Sequence, residues 1–195
     1  MPGIHPLNID VTSPAEVARW RPLVNGLLVM PHLLWHFVLS LGVVVVVIPG
    51  WFAILSTGRL PDSWSDYVMG VLRYRWRIDA YLLGWTEPYP SFAPPAGHVD
   101  PGDYPAILYC ARPLQRNRLT VLWRVLLATP QYIVLFFVSL GAFFVLVVAW
   151  FAVLITGQWP DGMRRFALGW IRWVTRLRAY SLLVTDVYPP FAFEA

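Results

Sequence analysis

The sequence predicts an all-α integral membrane protein built from two tandem homologous units, and three observations predict it. The chain repeats itself in register. Each copy carries a long run without ionisable side chains. Each run is followed by an amphipathic helical pattern bordered by Arg and Trp. Trp51 to Asp62 returns as Trp150 to Asp161, 99 residues further on. From Pro31–Phe92 to Pro130–Phe191 the alignment needs no gap, and 24 of 62 pairs are identical. Chance does not hold register over that length, so the chain is a duplication of one structural unit. The first unit covers residues 1–92, a Pro- and Gly-rich linker 93–103, and the second unit 104–195.

Composition sets the environment. Of 195 residues, 57% are apolar and only 13% charged, against about 25% charged in an ordinary soluble domain. Mean hydropathy is +0.54. Eleven Trp and nine Tyr suit membrane–water interfaces, where such rings concentrate. All fifteen cationic side chains are Arg, a bias that fits either a GC-rich genome or bidentate contact with phosphate. The net charge of +4 suits anionic lipid headgroups. Nucleic acid is not expected as a partner, because a solvated basic face is missing. The lone Cys110 excludes an intrachain disulfide. The first twenty residues hold Asp10, Glu16 and three prolines, which does not read as a cleavable signal peptide.

Residues 22–58 and 125–160 contain no Asp, Glu, Lys or Arg. A bilayer core of about 30 Å needs about 20 helical residues. Each run is too long for one ordinary span and barely long enough for two. Two models follow: one tilted span (about 33–57, and about 132–156) after a short interfacial helix that ends near Pro31 or Pro130, together one long kinked span, or a helical hairpin folded near Gly42 or Gly141. Arg19 and Arg21 precede the first run, and Arg59, Arg73, Arg75 and Arg77 follow it. Arg112, Arg116, Arg118 and Arg124 precede the second, and Arg164, Arg165, Arg172, Arg176 and Arg178 follow it. Short cytoplasmic flanks collect Arg. A hairpin keeps every cluster on that side, so the hairpin is the favoured expectation.

Thr-Gly-x-x-Pro-Asp closes each run. Gly58 and Gly157 fit helix C-termini, and Asp62 and Asp161 fit N-caps. Second helices are expected over about 63–85 and 162–184. Trp64, Tyr67, Val68, Val71, Leu72, Ile78, Leu82 and Trp85 form an apolar stripe, repeated by Ala167, Trp170, Ile171, Val174 and Leu177. Such a helix lies in the interface or packs its stripe on the spans. Leu7–Val11 and Ala106–Cys110 are short candidate strands that could pair across the duplication.

Four motifs carry a family resemblance: Met30-Pro31-His32; Trp-Phe-Ala-x-Leu-x-Thr-Gly-Arg-x-Pro; Arg-x-x-x-Arg-x-x-Ala-Tyr; and Tyr-Pro-Pro-Phe. In combination the chain resembles the bacterial domain of unknown function numbered 4389, twice, over nearly its whole length. The second unit departs at Gln131 and Gln158, where the first has His32 and Arg59; the first departs at Ser91, where the second has Pro190. The resemblance implies an integral membrane protein found often in actinobacteria and related groups, and it implies no activity.

Arg73, Arg77 and Tyr81 recur as Arg172, Arg176 and Tyr180, on one helix face by their spacing of four. Three readings stand: snorkelling to the interface, pairing with Asp62 and Asp161, or contact with lipid phosphate or a partner. His32 and His36 also share a face, but Gln131 and Leu135 replace them in the second unit. Cross-helix hydrogen bonding suits them better than metal or haem. Gly42, Gly70, Gly141 and Gly169 are expected at helix-packing positions. No Gly-rich phosphate loop, nucleophile elbow or His-Glu-x-x-His occurs. The expectation is a multi-pass protein of the bacterial inner membrane without catalysis, cofactor or metal. It would serve as accessory or scaffold subunit of a larger membrane complex; the alternative is an anionic-lipid-binding or lipid-transport protein using the Arg stripe.

Overall fold

The computed structural model describes residues 5–14, 16–97, 99–111 and 116–193. His98 and Arg112, singled out from the sequence as a polar-flank histidine and a cluster arginine, lie outside the described residues. The order of elements is β1 (Leu7–Val11), α1 (Arg21–Thr57), α2 (Asp62–Leu82), β2 (Ala106–Cys110), α3 (Arg118–Thr156) and α4 (Asp161–Ser181).

The hairpin expectation fails in a specific way. α1 and α3 are single uninterrupted helices of 37 and 39 residues. At about 1.5 Å per residue they are about 55–58 Å long. Pro31, Pro49 and Pro130 stay inside them, since a Pro removes one hydrogen bond and kinks a helix without forcing it to end when neighbours support it. Gly42 and Gly141 are ordinary helical positions. A turn there would strip backbone groups of their partners in an apolar setting, where a continuous helix satisfies them all. The long-helix alternative is the one the chain adopts.

The helix ends agree with the motif. Gly58 and Gly157 take φ of 75° and return their N–H to Ile54 and Val153. α2 and α4 begin one residue earlier than the caps suggested: Pro61 and Pro160 hold the N-cap place. Asp62 and Asp161 occupy the first turn without capping through their side chains, where a carboxylate still favours the positive helix end.

β1 and β2 pair antiparallel, Leu7 opposite Cys110 and Ile9 opposite Leu108. Adding 99 to a residue of β1 gives its counterpart in β2, so the pairing is its own image. A pseudo-two-fold axis passes between Ile9 and Leu108. The same operation relates α1 to α3, which lie antiparallel. The N–H of Val17 donates to Gly157 (2.8 Å), and that of Arg116 to Gly58 (2.9 Å). Each unit's entry arm therefore seals the other unit's long helix.

Three layers stack along this axis. The sheet packs on α2 and α4, which pack in turn on α1 and α3. α2 and α4 are not surface helices: apart from Asp62, Ser63 and Leu82, and Asp161, Gly162 and Arg165, none of their residues is exposed. α1 turns only a narrow stripe inward, through Asn25, Val29, His32, Leu39, Val43, Gly50 and Ile54. The rest of α1 and α3 is apolar and open: only 17% of the most hydropathic window of each is buried. Leu34 is 72% exposed and Phe136 67%. Asn8 and Asp10 are exposed on the opposite side, on the sheet.

Candidate functional site

The polar groups of the molecule collect along the seams between the long and short helices. In the first unit the rungs fall seven residues apart. Asn25 Nδ2 donates to the Tyr81 carbonyl (2.7 Å), His32 Nδ1 meets the Tyr74 hydroxyl (2.6 Å), and Tyr67 Oη donates to the Leu39 carbonyl (2.9 Å). Spacing of seven keeps successive residues on one face of each antiparallel helix. The second unit keeps two of the three rungs and changes their chemistry, and Phe166 in place of Tyr67 ends the third. Arg124 takes the place of Asn25, donating to the carbonyls of Tyr180 (2.5 Å) and Thr185 (2.9 Å) and pairing with Asp186. Gln131 takes the place of His32; its Oε1 accepts from Trp173 Nε1 (2.8 Å) and its amide donates to the Pro189 carbonyl.

The Tyr-Pro corners lock onto these seams. Tyr89 and Tyr188 donate to the carbonyls of Leu28 (2.9 Å) and Leu127 (3.1 Å), equivalent positions. Phe92 stacks on the His32 ring at 4.1 Å between centroids. His32 is thus enclosed by rings and held by Tyr74. His36 serves α1 itself, its carbonyl accepting from Ser40 Oγ (2.7 Å). No group of three metal-ligating side chains occurs among the described residues.

Three of the four arginines of the repeated stripe lie inside the protein, and Arg172 is half-buried. Arg73, Arg77 and Arg176 are 1%, 3% and 0% exposed. Arg73 donates to the carbonyls of Gly97 (2.6 Å) and Leu108 (3.4 Å). Arg77 pairs with Asp100 (3.2 Å) and Asp103 (2.6 Å), and its guanidinium lies over the Tyr104 ring. Asp100 also accepts from the Leu108 N–H (3.0 Å) and the Gly102 N–H (3.1 Å). The acidic partners come from the linker, not from Asp62 and Asp161. Gly97, Asp100 and Asp103 accordingly clamp α2 to the segment leading into β2.

Electrostatics follow the geometry. The hydrogen bond from Arg77 holds the Asp103 carboxyl below its ordinary range. Burial pushes the Tyr104 phenol up to about 12. Arg176 donates through Nε to the Leu7 carbonyl (3.1 Å), but its two terminal nitrogens meet no partner among the described residues. Burial, aided by the neighbouring Arg172, lowers its pKa to about 10. Arg172 donates to the Phe193 carbonyl (3.2 Å). Tyr81 and Tyr180 stand edge-on to Tyr89 and Tyr188, at 5.4 and 5.6 Å, and so belong to the corners.

Three of the four glycines are at close approaches. A Cβ on Gly42 would sit 2.2 Å from Tyr67 Oη, on Gly70 3.0 Å from the Pro95 carbonyl, and on Gly169 2.6 Å from Phe193 Cβ. Gly141 is different: it is exposed, with nothing within 4 Å of its Cβ position. Its unit has Phe166 in place of Tyr67, without the hydroxyl that reaches Gly42.

The two ends of the α1/α3 layer differ. At one end Thr57, Gly58, Arg59, Arg116 and Arg118 line a basic recess of about 490 Å3. At the other, Pro22, Gly26, Leu83, Phe143, Trp150 and Trp159 are among the residues lining an apolar cavity of about 470 Å3. Sequence reasoning missed Asn25, Asp100 and Asp103. A faint signal existed for the two aspartates: carboxylates in a Pro-Gly segment beside a chain rich in Arg.

No curated protein and no solved structure matches the chain. A family model described as "Domain of unknown function (DUF4389)" matches residues 19–93 and again 118–192, each match running from the entry of a long helix to its Tyr-Pro corner. With both units matched across the elements that build the seams, the chain belongs to the DUF4389 family, in two tandem copies.

Proposed function

We propose that the protein is a non-catalytic subunit of the bacterial inner membrane, a rigid scaffold for a larger membrane complex. One observation carries this reading: α1 and α3 turn broad apolar sides outward, while polar side chains are gathered in the buried seams. Exposed apolar patches on soluble monomers rarely exceed a few hundred Å2, yet here the outer sides of two helices of 37 and 39 residues are open and apolar. Meanwhile Asn25, His32, Arg73, Arg77, Arg124, Gln131 and Arg176 all bond to groups of their own chain. Side chains engaged in this way position helices and strands. The open polar sheet face, with Asn8, Asp10 and Tyr109, is the surface offered to other subunits.

Purification from native membranes in mild detergent tests this. The expected result is a membrane fraction that resists alkaline washing and a hetero-complex of fixed stoichiometry. A homogeneous species of this chain alone, across several detergents, would remove the scaffold reading. A second reading, contact with anionic lipid, is supported by the Arg59/Arg116/Arg118 recess rather than by the buried stripe. It predicts that Arg59→Gln with Arg118→Gln lowers binding to phosphatidylglycerol vesicles.

A further inference from the structure

We infer that the protein lies in one leaflet of an anionic phospholipid bilayer, its pseudo-two-fold axis along the membrane normal, with α1 and α3 flat in the hydrocarbon instead of crossing it. This rests on the membrane reading above and goes beyond it by fixing the orientation.

Polarity in the molecule changes along the axis. The exposed apolar sides of α1 and α3 form one end of it; the sheet with exposed Asn8 and Asp10 forms the other. A bilayer also changes polarity along one direction, its normal, so the two directions coincide. The alternative sets α1 and α3 upright. The axis would then lie in the membrane plane and carry the sheet out sideways at mid-depth. Exposed Asp10 would face hydrocarbon there, where an ionised carboxylate is strongly disfavoured.

Length agrees. An upright helix needs about 20 apolar residues, whereas α1 is uncharged over residues 22–57 and α3 over 125–156, 36 and 32 residues. A helix lying flat has no upper limit on apolar length. A layer of helices about 10 Å thick fits within one leaflet of a hydrocarbon core of about 30 Å.

Charge agrees as well. Arg19 and Arg118 are equivalent positions, both exposed, at the entries of α1 and α3. Because these helices are antiparallel, the two arginines sit at opposite ends of the layer but at one height along the axis. Flat helices place both residues at a single depth on one side of the membrane, from which their long side chains reach anionic headgroups. Upright helices would put them on opposite faces and leave one cluster outside, against the tendency of Arg to stay cytoplasmic.

Spin labels test this in the full chain carrying Cys110→Ser, reconstituted in vesicles of phosphatidylglycerol and phosphatidylethanolamine. Leu27, Leu34, Leu41 and Ile48 fall seven apart on the exposed side of α1, spanning about 32 Å of helix axis. Each is replaced in turn by Cys and its depth read by oxygen and nickel-chelate relaxation. One common depth is expected, with a membrane-impermeant maleimide reaching Arg19→Cys and Thr57→Cys from the same side. A profile deep at Leu34 and Leu41 and shallow at both ends, with the two end cysteines reacting from opposite sides, overturns the inference and leaves the membrane reading intact. Labels that stay water-exposed throughout overturn both. The equivalent sites Leu126, Ile133, Leu140 and Val147 of α3, also exposed, repeat the measurement should an α1 variant fail to fold.

Discussion

The two units share one backbone plan and differ in how they neutralise the same arginines. In the first, Arg73 and Arg77 close on Asp100, with Asp103 beside it. In the second, Arg176 holds one carbonyl of β1 and leaves two terminal nitrogens unpartnered among the described residues. The carboxylate of the first unit arrives eleven residues after Tyr89, on the segment that leads into the second unit. Duplication copies a helix with its Arg; it does not copy the connection that satisfies them. The seams show the opposite behaviour. Where both partners lie inside the unit they changed together, His32 with Tyr74 on one side and Gln131 with Trp173 on the other. Repeated geometry therefore survives a change of chemistry when donor and acceptor are exchanged as a pair.

The sharpest way to break this comparison is to remove the shared carboxylate. Asp100→Asn leaves two buried guanidinium groups without it and is expected to cost about 3–5 kcal/mol. Arg176→Met removes a charge that meets no carboxylate among the described residues, and is expected to be neutral or stabilising. Thermal unfolding in mild detergent measures both; equal losses would show that the units are not neutralised differently.

Next come the glycines. Gly42→Ala pushes a methyl group into Tyr67 Oη and is expected to cost about 1–3 kcal/mol. Gly141→Ala meets open space and is expected to be neutral or to stabilise the helix by up to about 1 kcal/mol. The same melting experiment distinguishes them.

Transplanting the second unit's rung into the first sharpens the covariation. His32→Gln or Tyr74→Trp alone leaves a buried polar group mismatched, a loss of about 1–3 kcal/mol. The double variant is expected to recover most of it. A double-mutant cycle reads the coupling, and simple additivity would argue that the two rungs are unrelated solutions.

The smallest effect is a pH dependence confined to the first unit. Asp103 has a depressed pKa when folded. It therefore stabilises the fold above the ordinary carboxylate value of 3.8, and that contribution fades as pH falls through the lower folded value. Its side chain is 63% exposed, so the slope is shallow. Asp103→Asn is expected to flatten the acid limb of the stability curve slightly, measured between about pH 2 and 5.

Much of the fold was legible because it is local. The repeat, the helix ends at Gly58 and Gly157, the second helices and the strand pair Leu7–Val11 with Ala106–Cys110 all follow from spacing, turn chemistry and period. The continuity of α1 through Gly42 was not legible. A glycine in an apolar run permits a turn or a continuous helix; α3 runs on through Gly141 with nothing near it, so the choice rests on satisfying the backbone of the whole run and not on one side-chain contact. The position of the Arg stripe was illegible for a related reason. Spacing places Arg73 and Arg77 on one face, but whether that face meets lipid or protein depends on a linker that folds back from twenty residues away.

By itself the sequence determined the duplication, the apolar character of the long helices and their ends at Gly58 and Gly157, since periodicity and backbone preference act within a few residues. Only the tertiary structure decided that the long helices run antiparallel and unbroken, that Arg73, Arg77 and Arg176 point inward, and that polarity changes along the two-fold axis. Those outcomes depend on which distant carbonyls and carboxylates reach a buried charge, and partners far apart in the chain leave no periodic trace in it.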